Sequence, residues 1–84
     1  MKLVYFAWLR ERLGINEEVV ELPKDVETVA NLFDWLKARD AVFADVFEHE
    51  AIIQVAINQK HERDRGASIS TANEIALFPP MTGG

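Results

Sequence analysis

The chain opens on a continuous apolar run. Lys2 to Trp8 (Lys-Leu-Val-Tyr-Phe-Ala-Trp) places β-branched and aromatic residues on both parities, the pattern of a strand covered on both faces. Leu3–Leu9 is therefore expected to be a buried strand. Arg10-Glu11-Arg12-Leu13-Gly14 turns polar and ends on a glycine, which reads as a short helical turn or loop closed by a glycine cap. From Glu17 to Leu22 the pattern alternates: Val20 and Leu22 point to a core, while Glu17, Val19 and Glu21 point to solvent, and Pro23 ends the run. The two runs together predict a hairpin with a loop longer than the tight two-residue type.

Helical spacing is clearest from Thr28 to about Arg39, where Val29, Leu32, Phe33 and Leu36 form one apolar stripe. Thr28 or Asp25 can cap its start, Glu27 suits the positive end of the helix dipole, and Lys37 and Arg39 suit the negative end. Ala41 to Phe47 pairs Val42 with Val46 and Phe43 with Phe47 at i, i+4, a short second helix whose register the spacing leaves open. Period two returns over Ile52–Ile57, with Ile53, Val55 and Ile57 on one side and Gln54 and Ala56 on the other. Asn58-Gln59 is a turn, since asparagine tolerates positive φ. Lys60–Ala67 is polar with alternating charge signs. Ile69 marks a brief strand or turn, Ala72-Asn73 another turn, and Glu74–Phe78 the last strand, stopped by Pro79-Pro80. The order strand, strand, helix, strand, strand predicts an α+β fold, with one main helix packed across a mixed sheet.

Composition narrows the function classes. Eighty-four residues are one domain at most, with room for one core and no large internal active site. An apolar content of 49% excludes a disordered chain. No cysteine is present, so there is no disulfide framework, thiolate metal site or thiol nucleophile. Fourteen acidic against nine basic residues give a net charge of −5, which argues against nucleic acid or an anionic membrane surface as the main partner. The charged start before Leu3–Leu9 mimics a signal peptide. Arg10-Glu11-Arg12 follows at once with no small-residue cleavage site, and no stretch approaches the roughly 20 apolar residues of a membrane span. A cytoplasmic protein is expected.

Side-chain chemistry is sparse. His49 and His61 are too far apart for an i, i+4 metal pair, and neither a phosphate-binding glycine loop nor a nucleophile elbow is present. Glu48-His49-Glu50 is read as a solvated connector, and Lys60 to Arg65 as a charge-alternating turn without a strong field. The ending Pro79-Pro80-Met81-Thr82-Gly83-Gly84 is different. Two terminal glycines arise by chance in roughly 0.5% of chains if glycine runs at ~7%. Gly-Gly at a free carboxyl end is the thinnest acyl group a protein can offer: without Cβ atoms it can enter a narrow channel and take φ values closed to other residues. Pro79 and Pro80 hold the tail extended and away from the sheet edge. Such a carboxylate can be activated as an acyl-adenylate by a partner and attacked by a sulfur or nitrogen nucleophile. The reactive group is then the main-chain carboxyl of Gly84.

Here the sequence resembles a family. Ile75 to Gly84, ending Phe-Pro-Pro-Met-Thr-Gly-Gly, looks like the C-terminus of the small subunit of molybdopterin synthase, the MoaD-like sulfur carriers. Val4-Tyr5-Phe6-Ala7-Trp8-Leu9-Arg10-Glu11 resembles that family's first strand and the turn after it, and Val55-Ala56-Ile57-Asn58-Gln59 its internal strand and asparagine turn. The resemblance implies a ubiquitin-like β-grasp domain over residues 1–80 and a flexible tail over 81–84. It further implies that an ATP-dependent activating enzyme adenylates Gly84, that sulfur transfer yields a thiocarboxylate, and that the tail enters a large synthase subunit. There the sulfur passes to a pterin precursor in molybdenum cofactor biosynthesis. The catalytic side chains are expected on the large subunit of a heterotetramer, with no cofactor or metal bound by this chain. Thr71-Ala72-Asn73-Glu74 replaces the family's common Asp-Gly-Asp turn, with Asn73 expected to accept a left-handed conformation. Lys60 and His61 stand where the family often has an apolar residue.

The partner surface is expected to extend beyond the tail, because a specific interface typically needs about 800 Å² per partner. Phe78 leads into the tail, Phe6 lies on the adjacent first strand, and Arg10 just beyond adds a polar rim contact. Pro80, Met81, Thr82 and Gly83 then carry Gly84 into the partner. Other readings of the same tail are a sulfur carrier for thiamine or tRNA thiolation, a ubiquitin-like modifier joined to lysines, and a plain interaction module.

Overall fold

The computed structural model describes residues 1–80. Its elements run β1 (Lys2–Tyr5), α1 (Ala7–Leu13), β2 (Glu17–Val19), α2 (Val29–Lys37), α3 (Ala41–Phe47), a 3-10 turn at Glu50–Ile52, β3 (Gln54–Ile57), β4 (Lys60–Glu62) and β5 (Glu74–Phe78). The five strands form one mixed sheet in the order β2-β1-β5-β3-β4. Central β1 and β5 are parallel, with Leu3 opposite Ile75 and Tyr5 opposite Leu77, and the other pairs are antiparallel. This is the α+β arrangement expected, with helices on one face of the sheet.

The core lies between that face and the helices. Leu3, Tyr5, Val55, Ile75 and Leu77 alternate inward from the strands. They meet Val29, Leu32, Phe33 and Leu36 of α2 and Phe43, Val46 and Phe47 of α3. Thr28 caps α2: its Oγ1 accepts from the Asn31 amide at 3.1 Å, while Asn31 Oδ1 accepts from the Thr28 amide at 3.2 Å. That reciprocal pair settles the choice between Thr28 and Asp25. Asp40 caps α3 through the Phe43 amide at 2.9 Å, and α3 turns Phe43, Val46 and Phe47 inward, leaving Val42 exposed.

Three elements differ from the sequence expectation. First, the strand expected to reach Leu9 ends at Tyr5, and Trp8 and Leu9 belong to α1, a helix of almost two turns. Leu3, Tyr5 and Leu9 are all buried and all odd-numbered, so strand and helix periodicities coincide over this short run. Gly14 closes α1 as expected, at φ 77°. Second, Lys60–Glu62 is an edge strand, not a turn. Asn58 and Gln59 both hold positive φ (49° and 70°) and make a tight connection from β3. Asn58 Oδ1 also accepts from the amides of Asn73 and Glu74 at 2.8 and 3.1 Å. The left-handed conformation expected at Asn73 therefore falls on Asn58 and Gln59. Third, Arg65 is not a solvated turn residue. Its Nη2 donates to the carbonyls of Glu50 and Ile53 at 3.1 and 2.6 Å, and its guanidinium covers Phe33 at 4.7 Å.

The β2 edge is tied down by charge. Glu18 accepts from both guanidinium nitrogens of Arg39 at 2.6 and 2.9 Å and from the Tyr5 hydroxyl at 2.6 Å. The Arg39 hydrogen bonds hold the Glu18 carboxyl below its usual range, and burial followed by the Glu18 contact pushes the Tyr5 hydroxyl well above its own. Arg39 also lies 4.3 Å over the Phe43 ring, a geometry that suits its planar, weakly hydrated cation.

Candidate functional site

Side chains of a strand alternate between faces, so the residues between the core positions form a second surface that no element among the described residues covers. Register places Val4 beside Ala76, Ala76 beside Ala56, Gln54 beside Phe78, and Ala56 beside His61. At one end of this open face Lys2 bridges Glu17 at 3.0 Å and Glu74 at 3.9 Å. At the other end, where β5 runs out into Pro79 and Pro80, the face becomes apolar. Phe6, Ala7, Ala56, Ala76, Phe78, Pro79 and Pro80 line an open concavity of about 550 Å³. Its floor is built of alanines, which is why it is hollow.

Phe6 reaches this concavity through a sharp corner. Its amide donates to the Leu77 carbonyl at 3.1 Å, continuing the β1–β5 pairing by one bond. Ala7 then takes φ 54° and starts α1, a left-handed conformation that costs a non-glycine residue about 1–2 kcal/mol. The corner leaves the Phe6 ring 45% exposed, although large apolar side chains usually prefer cover. Phe6 thus lies just past the first strand, not on it, and is not part of the core. Phe78 is half-buried beside it and Pro80 is exposed.

A smaller cleft adjoins the concavity on the β4 side, lined by Gln54, His61, Arg63, Phe78 and Pro80. His61 Nε2 lies 3.0 Å from Gln54 Oε1, and its ring is 5.7 Å from that of Phe78. Arg10 stands exposed on α1 and does not line either hollow. Met81, Thr82, Gly83 and Gly84, with the tail expected over 81–84, lie outside the described residues. Sequence reasoning selected Phe6, Phe78 and Pro80, which the fold brings together. It passed over Ala7, Ala56 and Ala76, and it noted His61 beside Lys60 without joining it to Gln54 and Arg63. The placing of Ala56 on the face away from Val55 was the available signal.

Among the described residues no group of three or more His, Cys, Asp and Glu side chains is placed to hold a metal. Nor is any helix long and apolar enough to cross a membrane. What the geometry offers is an uncovered apolar face at the root of a Gly-Gly ending. A model of the ThiS family matches residues 3–84. The chain belongs to the ThiS family. That match runs through the terminal Gly83-Gly84, so the ending singled out in the sequence lies within the family's own span. The chain is similar to the molybdopterin synthase sulfur carrier subunit of Dictyostelium discoideum, 31% identical with 99% of this chain and 94% of that protein covered. It is similar also to that of Haemophilus influenzae, 31% identical with 100% and 99% covered. Solved structures agree on the ubiquitin-like β-grasp architecture of this ThiS family member. A Pyrococcus furiosus protein provisionally described as molybdopterin converting factor, subunit 1, superposes with a TM-score of 0.72 at 25% identity, covering 94% of each chain. SAMP1 from Haloferax volcanii superposes with a TM-score of 0.67 at 26% identity, covering 99% of this chain and 97% of that one.

Proposed function

We propose that this chain is the sulfur-carrier subunit of a molybdopterin synthase, working through its terminal glycine. The observation that carries the reading is the joining of two features: a Gly-Gly terminus within the ThiS family match, and an uncovered apolar face beginning where that terminus leaves the sheet. The full-length likeness to curated sulfur carrier subunits supports the pathway.

In this reading the Gly84 carboxylate attacks the α-phosphorus of ATP on an activating enzyme and pyrophosphate leaves. A sulfur nucleophile then displaces AMP from the acyl carbon, giving a thiocarboxylate. ATP is consumed by the activating enzyme and not held by this chain. The loaded tail, from Pro80 through Met81, Thr82 and Gly83, enters the large synthase subunit, where sulfur passes to the pterin precursor. Phe6 and Phe78 anchor the docked carrier, and Arg10, exposed on α1 outside both hollows, adds a polar contact to the partner. A cytoplasmic location and a heterotetramer with the large subunit complete the proposal.

Copurification tests it. Expressed with the large synthase subunit of its own organism, the carrier is expected to elute as a complex and to support pterin sulfuration when loaded with sulfur. Separate elution at micromolar concentrations, with no sulfuration, contradicts the assignment.

A further inference from the structure

The open face is apolar where it meets the tail root, but the cleft beside it has a different chemistry. Its walls are Gln54, His61, Arg63, Phe78 and Pro80. On a chain with fourteen acidic residues and a net charge of −5, this cleft has no carboxylate among its lining residues. Among the described residues, neither Arg63 nor His61 enters an ion pair. Lys2, Lys37 and Arg39 are matched to Glu17, Glu50 and Glu18, whereas Arg10, Lys24 and Lys60 are, like Arg63, in no ion pair among the described residues. His61 lies 3.0 Å from Gln54 Oε1 and beside the Phe78 ring.

We propose that this cleft is an anion-accepting subsite of the docking face, and that its occupant is a carboxylate side chain of the large synthase subunit. The inference rests on the docking role proposed above and adds the chemistry of the partner. Arg63 supplies the charge and a planar fork of donors that matches a carboxylate. His61 and Gln54 form the polar wall. The cleft shares Phe78 and Pro80 with the apolar concavity, so one partner segment can seat an apolar side chain in the first and an acidic one in the second. Placing an unpaired cation beside the tail root also favours one orientation of approach, since complementary charges act chiefly on register and encounter rate.

Lys60 provides the internal control. It pairs with Ile57, one residue along from the His61–Ala56 pair, and so belongs to the opposite face of β4. Arg63→Glu and Lys60→Glu change net charge equally. Affinity for the large subunit would be measured by titration calorimetry at two salt concentrations, for the wild type, both charge reversals and Phe78→Ala, with a thermal melt of each. Arg63→Glu is expected to weaken binding by about tenfold or more and to flatten or invert its salt dependence, while Lys60→Glu shifts it less than about threefold. If the two reversals act alike, or Arg63→Glu has no effect while Phe78→Ala weakens binding, the subsite is overturned and the docking face stands. If Phe78→Ala and Arg63→Glu both leave binding unchanged, the docking reading fails and the subsite with it.

Discussion

On the side of the sheet turned toward α2 and α3, Leu3, Tyr5, Val55, Ile75 and Leu77 are at most 1% exposed. On the other side of the same strands Phe6 is 45% exposed, Phe78 is half-buried, and Ala56 and Ala76 leave a hollow between them. Ile75, Ala76, Leu77 and Phe78 are consecutive, yet they alternate between these two environments. The covered side is filled with large side chains because its contacts are made within the chain. The open side combines exposed aromatics with small floor residues, the hollow shape on which the proposed docking rests. The difference teaches that in β5 position parity, rather than hydrophobicity, separates residues that hold the fold from residues left on the open face, where docking is proposed.

The adjacent pair Leu77 and Phe78 gives the sharpest contrast. Leu77→Ala removes buried atoms from the core and should lower unfolding free energy by about 2–5 kcal/mol, read by chemical denaturation. Phe78→Ala should leave the domain folded but weaken binding to the large subunit by at least tenfold, about 1.4 kcal/mol, read by titration calorimetry beside a melt. A collapsed melt for Phe78→Ala, or unchanged affinity, would erase the distinction between the faces.

Glu18 extends the comparison to the edge of the covered side. Glu18→Gln should cost about 1.5–3 kcal/mol, the range for hydrogen bonds to charged groups, because both Arg39 and Tyr5 lose a charged acceptor. Its pH dependence has a definite sign. The folded-state carboxyl titrates below its unfolded value, which is about 4.3. The stabilisation is therefore complete above that value and is lost as pH falls through the lower, folded-state one. The gap between wild type and variant should be constant near neutrality and narrow on acidification, with binding to the partner unaffected at neutral pH.

A smaller effect is expected at the concavity floor. Ala56→Leu fills the hollow beneath Phe6 and Phe78 and should weaken docking by about fivefold, ~1 kcal/mol, while the melting temperature moves by only a few degrees. Unaltered affinity would show that the partner does not enter the concavity.

Much of this arrangement was legible in the sequence. The α2 stripe Val29, Leu32, Phe33 and Leu36 is fully buried as its spacing required. Phe6 and Phe78, chosen because each borders the tail or the strand beside it, meet in one hollow. What stayed hidden depends on contacts distant along the chain. The end of β1 at Tyr5 follows from the corner at Ala7 and the Phe6–Leu77 bond, and neither leaves a local signature in a run apolar on both parities. Lys60–Glu62 pairs as a strand because β3 offers it an edge, despite a composition that suits solvent. Arg65 looks like one charge among many until Phe33 and the carbonyls of Glu50 and Ile53 converge on it. The proposed Gly84 chemistry rests on the sequence alone, since Gly84 lies outside the described residues.

The central claim is that the open face exists to deliver the terminal glycine as a sulfur donor. Intact-mass spectrometry tests it most directly. Incubated with its activating enzyme, ATP and a sulfur donor, the full chain should gain the mass difference of one oxygen exchanged for sulfur, localised to Gly84 by fragmentation. A chain lacking Gly84, or carrying one extra residue beyond it, should gain nothing. Thiolation of the extended chain without processing, or no mass change in the native chain under conditions that load a known carrier, would contradict the account.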